Sequence, residues 1–161
     1  MDPTARELGE ARLDVASKAK TPEDWQTLWA APLHPFPFKW GTCWKQCIEY
    51  VVDDFPAELG FFTDVLGLEC NALDESFAML MGPEAEFYFA IKPSTVDGPA
   101  TPRDAIRLQF MIEAIVETAV ELERRGIEFE KPVQPYGPGS PMHTGYFRTP
   151  HGICVDLWGL V

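Results

Sequence analysis

The sequence predicts an α+β fold in which two modules, each a strand, a helix and three strands, follow an N-terminal helical arm. Three observations point there. Short runs with period-two alternation recur from Trp44 onward, an amphipathic helix interrupts them in each half, and the order strand, helix, three strands occurs twice. The two halves share this order rather than matching residues. Residues 1 to 39 lack the alternation and carry helix signals instead.

In the arm, Asp2-Pro3 and Thr21-Pro22 each read as an N-cap followed by proline at the first helical position. Asp24 falls three residues after Thr21, as a shortened capping box requires. Ala5, Leu8, Val15 and Ala19 form a thin apolar stripe; Trp25, Leu28 and Trp29 form a fuller one. Such stripes need a surface to dock on, in this chain or in a second subunit. The proline-rich run from Pro32 to Phe38 breaks the helix and sets the boundary of the second domain, residues 40 to 161.

The first module covers about residues 44 to 93. Its opening strand, Trp44 to Val52, places Cys47, Glu49 and Val51 on one face. A helix from Pro56 to Leu66 is capped by Asp53-Asp54 and ended by Gly67. Strands follow at Leu68–Leu73, Phe77–Met81 and Glu86–Lys92, then a connector without apolar period from Pro93 to Pro102. The second module covers about residues 104 to 161. Its strand Ala105–Ile112 carries Arg107, Gln109 and Met111 on one face; the helix Ile115–Arg125 ends at Gly126. Strands at Ile127–Phe129, Thr144–Arg148 and Ile153–Trp158 complete it, with Thr149 to Gly152 as a turn and His151 at its solvent-facing tip. On the last strand Cys154, Asp156 and Trp158 share a face. A carboxylate among apolar strand residues needs a partner, so Asp156 either meets an arginine on a neighbouring strand or serves a ligand.

Composition narrows the partners. A net charge of −12 opposes nucleic acid and anionic lipid, which need a basic footprint; it suits a cationic ligand or a solubilising acidic face. The longest apolar runs are about five residues, too short to span a membrane. The first residues lack the layout of a secretion signal, so a cytoplasmic protein is expected. Four cysteines do not make a disulfide framework at this length. Cys43 and Cys47, on one strand, would stand about 13 Å apart, beyond bridging distance.

The run from Asp54 through Phe61-Phe62 to Val65-Leu66-Gly67 resembles the first-helix signature of the vicinal oxygen chelate superfamily. That group includes glyoxalase I, bleomycin- and fosfomycin-resistance proteins and extradiol dioxygenases. Tyr146 to Asp156 resembles its closing signature, in which Phe-x-Asp-Pro-Asp-Gly precedes a glutamate on the last strand; here Thr149 and His151 stand where aspartate is usual. The likeness spans about Trp40 to Val161.

It implies a cupped mixed sheet with the site on its concave face. In metal-using members the ligands come from the first and last strands of the modules. That puts Cys47, Arg107 (or Gln109, if the register slips by two) and Asp156 at ligand positions, and Tyr88 or a flanking phenylalanine where the first module's glutamate would be. Arginine cannot ligate, being always protonated. The ion's place is therefore read as taken by Arg107, paired with Asp156 or Glu49. Trp44, Tyr88, Met111, Phe147 and Trp158 would line an aromatic pocket, with Pro135–Pro141 as a lid. Glu49, Asp156 and His143 are the candidate acid–base groups. The expected function is a metal-free small-molecule-binding protein, taking an aromatic or cationic ligand and no cofactor. The alternatives are a lyase, isomerase or dioxygenase in which Zn, Ni or Fe polarises vicinal oxygens, and a metal-free enzyme with Glu49 or Asp156 as base. A homodimer is expected.

Overall fold

The computed structural model of the chain describes residues 4–29, 34–35, 37–38 and 46–161. The chain divides into two compact units, Met1–Trp40 and Gly41–Val161.

The first unit holds α1 (Ala5–Lys18) and α2 (Pro22–Trp29). The cap of α1 is Thr4: Glu7 N–H donates to Thr4 Oγ1 while Thr4 N–H donates to Glu7 Oε2, a reciprocal capping box. The cap of α2 follows the expectation, with the Lys20 and Thr21 N–H groups donating to Asp24 Oδ2. None of α1 is buried, and Val15 of the expected stripe is 52% exposed. Asp2-Pro3, Trp44 and the side chains of Trp25, Leu28 and Trp29 lie outside the described residues.

The second unit runs β1 (Ile48–Val52), α3 (Phe55–Gly60), a π-helical continuation (Phe61–Leu66), β2 (Glu69–Asp74), β3 (Phe77–Met81), β4 (Tyr88–Pro93), α4 (Ser94–Asp97), β5 (Arg107–Ile112), α5 (Ile115–Arg124), β6 (Phe129–Pro135), β7 (Met142–Arg148) and β8 (Cys154–Leu160). Two four-stranded mixed sheets result, ordered β1-β4-β3-β2 and β5-β8-β7-β6. In each, the first strand runs parallel to the last and the others pair antiparallel. These are two βαβββ modules. Among the described residues, no strand pairing joins the two sheets into one.

Two elements depart from expectation. The short helix α4 occupies the connector after β4, and β6 runs to Pro135 rather than stopping at Phe129. Pro132 and Pro135 mark a break in sequence, yet β6 is an edge strand, where a missing N–H costs no ladder bond.

The helix of the first module is the shared core. Phe62 is fully buried among Tyr50, Val52, Phe89 and Ile91 of its own sheet, a cluster that also takes in Ile153 of the second module. Phe61, Val65 and Leu66 reach the second cluster, built on Ile115, Phe147, Val155 and Leu157. The wider π-helical turn lets adjacent Phe61 and Phe62 serve both clusters. Gly67 closes it at φ 86, a conformation glycine adopts without a Cβ clash. Among the described residues no helix is long and apolar enough to cross a membrane.

Candidate functional site

The exposed face of the second sheet is assembled in rows. Parallel pairing of β5 with β8 sets Arg107 beside Cys154, Gln109 beside Asp156 and Met111 beside Trp158. Antiparallel pairing of β7 extends the rows with Arg148, Tyr146 and Thr144. Because side chains alternate, the intervening Val155, Leu157 and Phe147 turn to the helix side.

Asp156 is the centre of this face. It is 4% exposed, and four side chains donate to it. Trp158 Nε1 lies 3.0 Å from Oδ2, Arg107 Nη1 3.3 Å and Gln109 Nε2 3.3 Å. Thr144 Oγ1 lies 3.4 Å from Oδ1. The buried carboxylate is thus satisfied without any added ion. Its cation is turned outward: the Arg107 side chain is 59% exposed against 5% for Asp156. Met111 is 69% exposed, and the ring of Tyr136 rests 5.1 Å from that of Trp158. A polar end at Arg107 and Gln109 therefore grades into an apolar end at Met111, Trp158 and Tyr136.

The structure gathers only part of the expected set. Arg107, Gln109, Met111, Asp156 and Trp158 share one face. Glu49 stands on the other sheet, where Lys92 pairs with it at 3.3 Å and with Asp97 at 2.7 Å. Of the two candidate partners for Arg107, Asp156 is the one in contact. The hydrogen bond that Lys92 donates to Asp97, with Glu49 adding, raises the Lys92 ammonium above its ordinary range. Burial pushes the Cys47 thiol up, and the charge of Glu49 pushes it further, so it is a poor thiolate donor. Tyr88 is half-buried in β4, on the opposite side of that strand from the buried Phe89.

Three expectations need correction. Phe147 lines no pocket on the site face: it has no exposed surface and packs on the helix side of β7, edge-on to Phe129. His143 has the same parity as Phe147, so it cannot meet Asp156; its Nδ1 lies 3.3 Å from the Pro141 carbonyl. His151 is half-buried rather than free at a turn tip, with Nε2 2.8 Å from the Thr101 carbonyl and its backbone N–H donating to Glu58. Thr144 and Tyr136 were not anticipated. The clue to Thr144 was parity: it alternates with Gly145, whose missing side chain admits β6, since a Cβ there would stand 2.9 Å from the Lys131 carbonyl oxygen.

A divalent metal does not fit these donors. The Arg107 guanidinium beside Asp156 cannot ligate, and Asp156 is spent on four hydrogen-bond donors. Among the described residues, no three His, Cys, Asp or Glu side chains gather as a cation would require. A hollow of about 390 Å³ opens by Gln46, Ile48 and Glu86 at the start of β1 and β4, away from Asp156.

No family profile matches the sequence, and no curated protein matches it. Solved structures do match in fold. A glyoxalase/bleomycin resistance protein/dioxygenase from Nocardioides superposes with a TM-score of 0.56 at 22% identity, over 85% of this chain and 90% of its own. A glyoxalase/bleomycin resistance protein/dioxygenase superfamily member from Sphaerobacter thermophilus gives 0.57 at 24% identity, over 71% and 94%. A genomically encoded fosfomycin resistance protein from Listeria monocytogenes gives 0.56 at 17% identity, over 72% and 92%. With its two βαβββ modules, the chain has the fold of the glyoxalase/bleomycin-resistance/dioxygenase superfamily.

Proposed function

We propose that this protein binds a small planar molecule on the open face of its second sheet and uses no catalytic metal to do so. What supports this reading is the Arg107–Asp156 pair, at positions that the family resemblance gives to metal donors, flanked by the exposed Met111 and Tyr136 and the half-buried Trp158. Aromatic and thioether groups offer a flat, polarisable surface to a planar ligand. The cationic ligand expected from the net charge is not favoured on this face, because the Asp156 carboxylate is covered by four donors.

A second copy of the chain completes the bowl in this reading. Supporting it, Arg107, Gln109 and Met111 are all exposed on β5. The three described cysteines are free thiols, which fits a reducing cellular interior.

Calorimetry with a neutral planar probe, 2-naphthamide, tests the proposal. Binding by the native protein and its loss in Trp158→Ala are the expected results. Stoichiometric Zn, Ni or Fe in protein purified without a tag would overturn the metal-free assignment. Failure of planar aromatics of any charge to bind would overturn the assignment of this face.

A further inference from the structure

Resting on that binding face, we infer that its ligand carries a carboxylate, held by Arg107 while the ring lies over Met111 and Trp158. The reason is an asymmetry in what the face shows to solvent. Asp156, the acceptor, has a side chain only 5% exposed; Arg107, the donor, is 59% exposed. A molecule arriving from water meets guanidinium N–H groups before it meets any carboxylate oxygen of Asp156.

The guanidinium has five N–H donors in a planar fork, and its contact with Asp156 is made through Nη1 alone. That contact is 3.3 Å, long for a charge-assisted hydrogen bond, where about 2.7–2.9 Å is usual. Arg107 is therefore tethered rather than saturated. Its remaining edge matches a group with two coplanar oxygens, and a carboxylate supplies both the geometry and the charge. The other arginine of this face is differently placed. Arg148 donates to Glu130, to Asp104 and to the Gly152 carbonyl.

Distance along the strand sets the size of the molecule. Residues two apart on a strand are separated by about 7 Å. Arg107 and Met111 are four apart, so a head group at the guanidinium leaves a single or fused ring system over Gln109 and Met111. Of the net charge of −12, the parts beyond a Debye length of roughly 8 Å are screened at physiological salt, and the near carboxylate, Asp156, is buried beneath its donors.

Three probes of one shape separate the outcomes: 2-naphthoate, 2-naphthamide and the cationic 2-naphthamidine, each titrated calorimetrically into the full chain. The expected result is a preference for naphthoate over naphthamide of about tenfold or more, with naphthamidine weakest. Arg107→Gln should bring naphthoate binding down to the level of naphthamide in the same variant. Arg107→Lys should keep part of the preference, having the charge without the fork. Both variants alter a donor to the buried Asp156 carboxylate, so calorimetry of the free protein checks that each remains folded at the titration temperature. Equal binding of the three probes would overturn the carboxylate assignment and leave the binding face standing. Failure of all three would overturn both.

Discussion

Glu58 has no exposed surface, yet it is a carboxylate in an apolar core. Its oxygens are taken by the Tyr50 hydroxyl at 2.7 Å and the His151 backbone N–H at 2.8 Å. Burial, and then the charge of Glu58, raise the Tyr50 phenol well above its ordinary range, so it remains a protonated donor. Glu58→Leu would strand both donors, and the expected loss in urea unfolding is about 3 kcal/mol. Adding Tyr50→Phe should recover about 1 kcal/mol of that, because one stranded donor is removed. If the second change deepens the loss, the Tyr50–Glu58 bond is not what matters. No sequence motif marks Glu58, which reads as an ordinary polar position in the first turn of a helix. The two departures in the closing signature also make sense only in three dimensions. Thr149 Oγ1 accepts the Ile153 N–H, so the hydroxyl secures the turn, and the His151 imidazole reaches the Thr101 carbonyl.

Among the elements, α5 is tied to its surroundings through charge. Glu121 accepts from Arg124 and Arg125, and Arg125 also donates to the Val65 carbonyl at the end of the first module's helix. The hydrogen bond from Arg124, then that from Arg125, lowers the Glu121 carboxyl from 4.5 to about 2. A lowered carboxylate contributes stability above its unfolded value and loses it as pH falls through the folded one. The contribution of Glu121 should therefore be intact above pH 4.5 and fade towards pH 2. A carboxyl-detected NMR titration with a midpoint near 4.5 instead would show that these contacts do not persist in solution. In β7 the decisive residue is Gly145. A Cβ there would stand 2.9 Å from both the Lys131 carbonyl oxygen and Val133 N, so Gly145→Ala should cost about 1–3 kcal/mol by forcing β6 outward. An unchanged denaturation midpoint would mean that β6 moves freely. The strands with clean alternation were legible: β3 falls at Phe77–Met81 as read, and β5 carries Arg107, Gln109 and Met111 on one face. Period two also put Asp156 and Trp158 together. It does not say which face of β7 joins them, because Tyr146 and Phe147 are both aromatic. Only the pairing register of β7 with β8 decides that question.

In the second unit, the two modules share core residues. Ile153, just before β8 in the second module, is fully buried in the first module's cluster with Tyr50, Phe62 and Phe89. In exchange, Phe61 of the first module touches Phe147 of the second, with ring centroids 6.2 Å apart. The Glu58–His151 bond and the Arg125–Val65 bond cross the same boundary. Repetition of strand, helix and three strands suggests halves that fold alone, and nothing in a one-dimensional pattern reveals that they trade core residues. The exchange has a measurable consequence. Ile153→Ala should cost about 2–4 kcal/mol, the usual range for truncating a fully buried isoleucine. Since the residue belongs to one module and its contacts to the other, the loss should move a single urea transition without splitting it. Probes placed in each module, such as amide exchange at Leu80 and at Leu157, should report the same midpoint before and after the change. Two separate midpoints would mean that the halves unfold independently and that the shared helix joins them only loosely.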